Sequence, residues 1–254
     1  MSDYIKICVD QVIPADRQIE AQALAEAENP RNLVLPGDPA PLSGAVDTHK
    51  LWRPGRVLRV TFLDGIDAVQ QKVTAIARAW TQYANIGLDF GDYPDAEIRI
   101  SFQQPGSWSY IGIDALLIEA PKPTMNFGWL TPQTDDEEYS RVVLHEFGHA
   151  LGMIHEHQNP SNEIPWNRQA VLDYYMGPPN YWSKYQVETN IFQAYAKDHT
   201  KYTDFDLLSI MRYPIPREHL ADPNWGAEHN VEWQNYQLSE TDKTFIAECY
   251  PPQK

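Results

Sequence analysis

Residues 145–155, HEFGHALGMIH, constrain this chain of 254 residues more than any other stretch. They place three histidines and a glutamate inside eleven positions. Positions four apart on an α-helix differ by about 40° in direction and about 6 Å in height. His145 and His149 therefore leave such a helix from one face and reach a common metal ion through their imidazole nitrogens. Glu146 stands beside them, placed to act on a water at that metal without being a ligand. Three residues after His149, Gly152 permits a left-handed turn that a β-carbon would resist. The chain then swings back and presents His155 from a second direction. Three imidazoles leave one coordination position open, which is the arrangement of a catalytic rather than a structural zinc. With 8 His and 13 Gly in the chain, the expected number of chance matches to HExxHxxGxxH is on the order of 10⁻⁵. A solvated amphipathic helix is a poor account of it.

The rest of the composition narrows the setting. Hydrophobic residues make up 43% and charged residues 22%, enough for a sizeable core. Lys and Arg number 20 against 35 Asp and Glu, a net charge of −15. Phosphates are repelled by such a surface, so neither a nucleic acid nor an anionic membrane is an expected partner. No apolar run approaches the roughly 18–20 residues of a membrane span. The start, MSDYIKICVD, has no basic segment followed by a long apolar one, so no secretory signal is read. That makes a cytoplasmic location the default, with export by a signal-less route the alternative. Cys8 and Cys249, the two cysteines, cannot build a disulfide framework. A monomer is expected.

Local patterning sets the element order. Pro14 to Glu28 is rich in Ala, Glu and Gln and reads as a short helix stopped by Asn29 and Pro30. Residues 32–44, with three prolines and two glycines, read as extended chain or linker. Residues 1–45 thus form an N-terminal helical and linker segment, and residues 46–254 the main domain. Arg56–Leu63 alternates as a strand, and Asp67–Tyr83 has the spacing of a long amphipathic helix. Leu88–Phe90, Glu97–Phe102 and Leu116–Ile118 are further strand candidates. So is Met125–Leu130, flanked by prolines and therefore either an edge or an aromatic-filled internal strand. Thr134 to Glu137 has the form of a capping box, opening a helix that runs to the stop at Gly152. Later come helices near Arg168–Met176 and Ser183–Ala194, and one that starts at Ser239 with Asp242 three residues on and ends before Pro251. This order predicts an α+β fold, a mixed sheet with helices on one side.

The eleven-residue pattern resembles that of the metzincin metallopeptidases, and its continuation through Glu156 is similar to the astacin branch. Ser209-Ile-Met-Arg-Tyr213 resembles the astacin Met-turn, with Arg212 in place of a histidine. Weaker similarities extend the match to Leu51-Trp52, to residues 106–112 (GSWSYIG), and to the LSxxD start of the last helix at Leu238–Asp242. Together they span roughly residues 46–251. The resemblance implies the metzincin fold: a mixed five-stranded sheet with an antiparallel edge strand and a long active-site helix. An upper lobe to about residue 152 would be followed by a mostly irregular lower lobe ending in a helix. It implies one catalytic zinc ion on His145, His149 and His155, with Glu146 as general base. Met211 would pack beneath the metal, and Tyr213 would ligate zinc at rest and then stabilise the oxyanion. The activity implied is endopeptidase cleavage of a protein or peptide substrate. Astacins usually carry two disulfides; Ser107 stands where one of those cysteines falls, so the usual cross-links are excluded. In the family the residue at Glu156 makes a buried ion pair tied to the mature N-terminus; read from the residues alone it is equally an exposed acid.

Family zymogens block their metal with an Asp in a Phe-x-Gly-Asp motif, of which Leu35-Pro-Gly-Asp38 keeps only Gly and Asp. Asp38 is thus one candidate latency ligand and a simple turn its alternative. Cys8 is a second, since a thiolate binds zinc well, with an inert buried cysteine as its alternative. The same segment is expected to be dispensable for the chemistry and to shield the cleft. Arg212 or Arg217 would favour acidic substrate residues. His157 reads as a residue behind the metal ligands or on the surface. A narrow-specificity effector protease, or a non-catalytic binding protein on the same fold, are the competing functions; retention of Glu146 argues against the second.

Overall fold

The computed structural model describes residues 8, 11, 13–33, 46–47, 50–178, 180–193, 200–201, 204–227 and 235–252. Asp38 lies outside them, as do His49, His199 and His229. The elements in chain order are α1 (Gln18–Glu28), β1 (Val46–Asp47), β2 (Val57–Phe62), α2 (Asp67–Ala77), β3 (Gly87–Phe90), β4 (Ile98–Ser101), β5 (Ser107–Ser109) and β6 (Met125–Phe127). After them come α3 (Asp136–Ala150), α4 (Arg168–Met176), α5 (Lys184–Val187), β7 (Thr200–Lys201) and α6 (Glu240–Cys249). No helix among the described residues is long and apolar enough to cross a membrane.

The sheet has five strands in the order β3-β2-β4-β6-β5. Its first four strands are parallel, and only β5 runs antiparallel, at the edge. β1 and β7 make a separate antiparallel pair. β2 and β3 leave one face open, with Val57 and Asp89 exposed on it, and turn Leu58 and Val60 inward on the other. Leu58, Val60, Ile98 and Ile100 share one core with Val69 and Val73 of α2 and with Val142, Val143 and Phe147 of α3. A row of rings, Phe90, Phe62, Phe102 and Phe127, crosses the sheet with centroids 5.9, 6.1 and 6.1 Å apart.

One strand expectation fails. Leu116 and Leu117 belong to a 3-10 turn, Gly112–Leu117, with Ile118 as its C-cap, rather than to a strand. Gly112 there has φ +50°, and a β-carbon on it would lie 1.9 Å from the Lys50 carbonyl oxygen, a position only glycine can take. Met125–Leu130 takes the internal one of its two readings: β6 is shorter and sits between β4 and β5. The edge is β5, whose three residues, Ser-Trp-Ser, carry no apolar alternation of their own. Asp67–Tyr83 is also broken, α2 ending at Ala77 and a 3-10 turn following at Trp80–Gln82.

The N-terminal segment is not a loose appendage. Cys8 and Ala25 join the main core. Ile13 and Ala21 pack with Leu117. Two buried asparagines tie the end of α1 down: Asn29 donates to the Trp52 carbonyl at 3.1 Å, and Asn32 to the Ala25 and Leu51 carbonyls at 2.8 and 2.9 Å. Glu28 pairs with Arg56, which also reaches Glu97 at 2.9 Å. Asn29 and Pro30, the expected helix stop, therefore also anchor α1 to the segment that enters β2.

Candidate metal centre and catalytic cleft

α3 is a helix positioned at both ends. Its N-cap is Asp135, whose carboxylate accepts the Glu138 amide at 2.7 Å, and three acids occupy the positive end of the helix dipole. The cap thus falls one residue after Thr134, which hydrogen-bonds to Thr131 in the preceding turn. Farther along, Trp80 and Trp52 donate their indole N–H groups to the Leu144 and Ala150 carbonyls at 3.0 and 2.8 Å. Tyr250 donates its hydroxyl to Leu151 at 2.7 Å. The orphan carbonyls at the helix end are satisfied by named side chains, which fixes the pitch of the histidine-bearing turn. Gly152 then takes φ +96°, as the motif requires.

The three histidines converge. The Nε2–Nε2 distances are 3.1 Å for His145–His149, 3.2 Å for His149–His155 and 3.1 Å for His145–His155. Three Zn–N bonds of about 2.0–2.1 Å at tetrahedral angles put their nitrogens about 3.3 Å apart. The His145 Nδ1 faces the Ile210 carbonyl at 2.9 Å, and the His149 Nδ1 the Met153 carbonyl at 2.8 Å. A carbonyl only accepts, so Nδ1 carries the proton and each Nε2 presents a lone pair. Lone pairs at this spacing repel one another unless a cation lies between them. Burial, then the His149 and His155 rings, push the His145 imidazolium far below its ordinary range, keeping the ring neutral and able to ligate. The residues fit a zinc ion. Among the described residues this is the one such cluster of His, Cys, Asp and Glu.

Met211 is fully buried beneath the cluster, and a β-carbon on Gly148 would lie 2.4 Å from its sulfur. The glycine in the middle of the motif is thus the seat for the Met-turn. That turn is held from α6: the Asp242 carboxylate accepts the Ser209 hydroxyl at 2.8 Å, the Ile210 amide at 2.9 Å and the Ser239 amide at 2.9 Å. Ser239 and Asp242 form the expected capping box, but the same carboxylate also fixes the turn that carries the His145 partner, Ile210. Burial raises Asp242 to about 6 against these hydrogen bonds. A folded-state pKa above the unfolded 3.8 means that the group's contribution is full below about pH 4 and is lost as pH rises through about 6. Relative to wild type, Asp242→Asn is therefore expected to gain about 2–3 kcal/mol between pH 4 and pH 7, read from urea midpoints at the two pH values.

Other expectations are corrected here. Glu156 is buried, not an exposed acid; its carboxylate accepts Asn159 and the Asp206 amide, both at 2.9 Å, and burial raises it to about 8. Arg212 is also buried and donates to the Leu207 and Tyr213 carbonyls at 2.8 and 2.7 Å. Arg217 donates to the Pro223 and Trp225 carbonyls at 3.0 and 2.8 Å. Both arginines hold backbone, and burial withdraws Arg212 from a substrate acid.

Cys8 lies in the cleft. Its thiol is buried near Glu146 and Arg141, close enough for both charges to act on it. Its backbone pairs with Ser107 of β5, and that of Gln11 with Tyr110, both in parallel sense. Burial, then the Glu146 carboxylate, push its thiol well above the ordinary range. The Tyr213 hydroxyl donates to the Cys8 carbonyl. Arg141, one turn before His145, is held by Glu138 at 2.7 and 2.8 Å. Sequence reading missed it, although its spacing four residues before His145 puts it on the ligand face. His157 takes the first of its two readings, behind the metal ligands: it lies buried beside His155 and Tyr213.

Comparison with solved structures decides the family. A structure of myroilysin is 43% identical, aligned over 83% of this chain and 100% of that one, with a TM-score of 0.77. The chain belongs to the astacin-like metzincin zinc metallopeptidases. A crystal structure of myroilysin aligns over 97% of this astacin-like chain and 100% of its own, at 35% identity and a TM-score of 0.61. High choriolytic enzyme 1, a hatching enzyme zinc-protease from Oryzias latipes, shares the fold at 16% identity and a TM-score of 0.50, over 87% of this chain and all of its own. Zinc metalloproteinase nas-38 of Caenorhabditis elegans is 25% identical over 178 residues, 69% of this chain. The astacin-like chain spans about a fifth (21%) of that curated relative's length. No family model matches it.

Proposed function

We propose that this astacin-like chain is a zinc endopeptidase whose own N-terminal segment occupies its cleft. The observation that carries the peptidase reading is the triangle of Nε2 lone pairs with Glu146 next to it, fully buried. When bound, zinc supplies Lewis-acid polarisation of a peptide carbonyl and acidifies a water molecule toward a pKa of about 7. Glu146 takes the proton from that water and passes it to the departing amine nitrogen. Tyr213, whose hydroxyl donates to a backbone carbonyl, makes the same bond to a substrate carbonyl as negative charge develops on it. The β5 edge supplies main-chain pairing to an extended peptide, as it does to Cys8.

Latency follows from the occupant. Cys8 accepts the Tyr213 hydroxyl with its carbonyl and buries its thiol near Glu146, so one residue occupies the space beside both groups the reaction needs. Of the two latency candidates, Cys8 lies against Tyr213 and near Glu146 and is the one we develop; Asp38 lies outside the described residues. Metal analysis paired with a peptidase assay on the activated chain tests the function. About one zinc per chain, loss of hydrolysis with a chelator and its return with added zinc are the expected results. A chain that holds one zinc and cleaves no peptide in a mixed library rejects it.

A further inference from the structure

We propose that His157 is a positioning residue for Tyr213, an inference that rests on the role given to Tyr213 above. The His157 ring is buried and stacks on two others: its centroid lies 5.1 Å from that of His155 at 21° and 4.5 Å from that of Tyr213 at 36°. Tyr213 and His155 are themselves 4.2 Å apart. Three rings thus form one block, with Tyr213 nearest to both imidazoles and His157 the histidine outside the metal-binding triangle.

His157 is fixed from the lower lobe. Its Nε2 meets the Asn190 carbonyl at 2.7 Å, and its neighbour Gln158 donates to the Thr189 carbonyl at 3.1 Å. Both carbonyls belong to a π-helical turn, Glu188–Phe192, that continues α5. A π turn breaks the regular i→i+4 ladder and offers carbonyls at altered positions. The turn is held in place: Arg168 pairs with Glu188 at 2.5 Å and lies 3.8 Å over the Phe192 ring. In the same lobe Tyr213 packs with Val171, Tyr175, Val187 and Ile191. The phenol is therefore confined between this apolar cluster and the His157 ring, while its hydroxyl stays directed at the carbonyl it serves.

Removing the imidazole leaves a space into which the phenol can lean, and a displacement near 1 Å at a reacting group costs up to about 10²-fold in rate. The test is a double-mutant cycle on the full-length chain carrying Cys8→Ala, with His157→Ala, Tyr213→Phe and the pair. His157→Ala alone is expected to lower kcat about tenfold with KM within about twofold, and to cost less than about twofold once Tyr213 is phenylalanine. Zinc affinity, measured by competition with a chromophoric chelator, is expected to be unchanged. His157→Phe, which keeps the ring and loses the bond to Asn190, is expected to recover part of the rate. Equal losses in both backgrounds, or a weaker zinc site in His157→Ala, overturn the proposal. Should the alanine variant not fold, the same cycle with His157→Phe decides by the same criterion. If Tyr213→Phe itself changes nothing, the role of Tyr213 fails and this inference with it; an unaltered Tyr213 loss beside additive His157 effects sinks this inference alone.

Discussion

Replacing Glu146 by alanine is expected to lower kcat/KM for peptide hydrolysis by at least ~10²-fold, while zinc remains at about one per chain. General-base catalysis contributes about 10²–10⁴-fold, or roughly 3–5 kcal/mol of barrier. The carboxylate is fully buried on the ligand helix and adjoins the first ligand in sequence, yet the three Nε2 atoms close their triangle without it. Removing it should therefore spare the metal. Glu146→Gln sharpens the test, because it keeps shape and volume and removes only the ability to take a proton. Retained zinc with lost hydrolysis identifies the base. Lost zinc would mean that Glu146 holds the ligands in place rather than handling a proton, and undiminished hydrolysis would remove it from the mechanism altogether.

Why the site was legible and parts of the fold were not is a matter of range. His145, Glu146, His149, Gly152 and His155 are bound to one another by helix pitch and one glycine turn, so eleven residues specify their geometry without help from the rest of the chain. β2 is legible for a related local reason: the alternation of buried and more open positions is written into Val57–Phe62 itself. β5 writes nothing of the kind. Its Ser-Trp-Ser is a strand because β6 pairs with it, and whether β6 is an edge depends on β5 being there. Non-local pairing of this sort has no local signature.

The buried polar residues show the same limit. Asn29 reads as a helix stop and Asp242 as a capping residue, and both are so. Each also reaches across the fold, Asn29 to Trp52 and Asp242 to the Met-turn. His157 and Arg141 gain their meaning only when other segments arrive, the π-helical turn for one and the N-terminal segment for the other. The N-terminal segment reads as dispensable for the chemistry and as a shield for the cleft, and its composition does not show how it is held. Its packing into the main core through Cys8 and Ala25 argues for a built-in part of the latent protein.

Cys8→Ala in the full-length chain is expected to raise turnover of a fluorogenic peptide by about tenfold or more. A ligand tethered by a short segment acts at an effective concentration in the millimolar range. Substrate at micromolar concentration competes poorly with it, so the resting chain should show only a few per cent of its capacity. The parallel pairing of Cys8 and Gln11 with the β5 edge adds to that occupancy, and the thiol removal alone leaves this pairing in place. Deletion of residues 1–12 removes it as well, while the anchors at Asn29, Asn32 and Glu28 lie beyond the cut. Activity is therefore expected to rise in the order wild type, Cys8→Ala, deletion, with α1 still docked in the last. Reaction with a thiol reagent supplies a second readout. Stripping zinc from the wild type is expected to speed modification of Cys8, with Cys249, buried in the core and in no disulfide, as the internal reference. If neither variant is more active than wild type, the thiol does not restrain the enzyme, and Cys8 is a core residue that happens to lie beside Glu146.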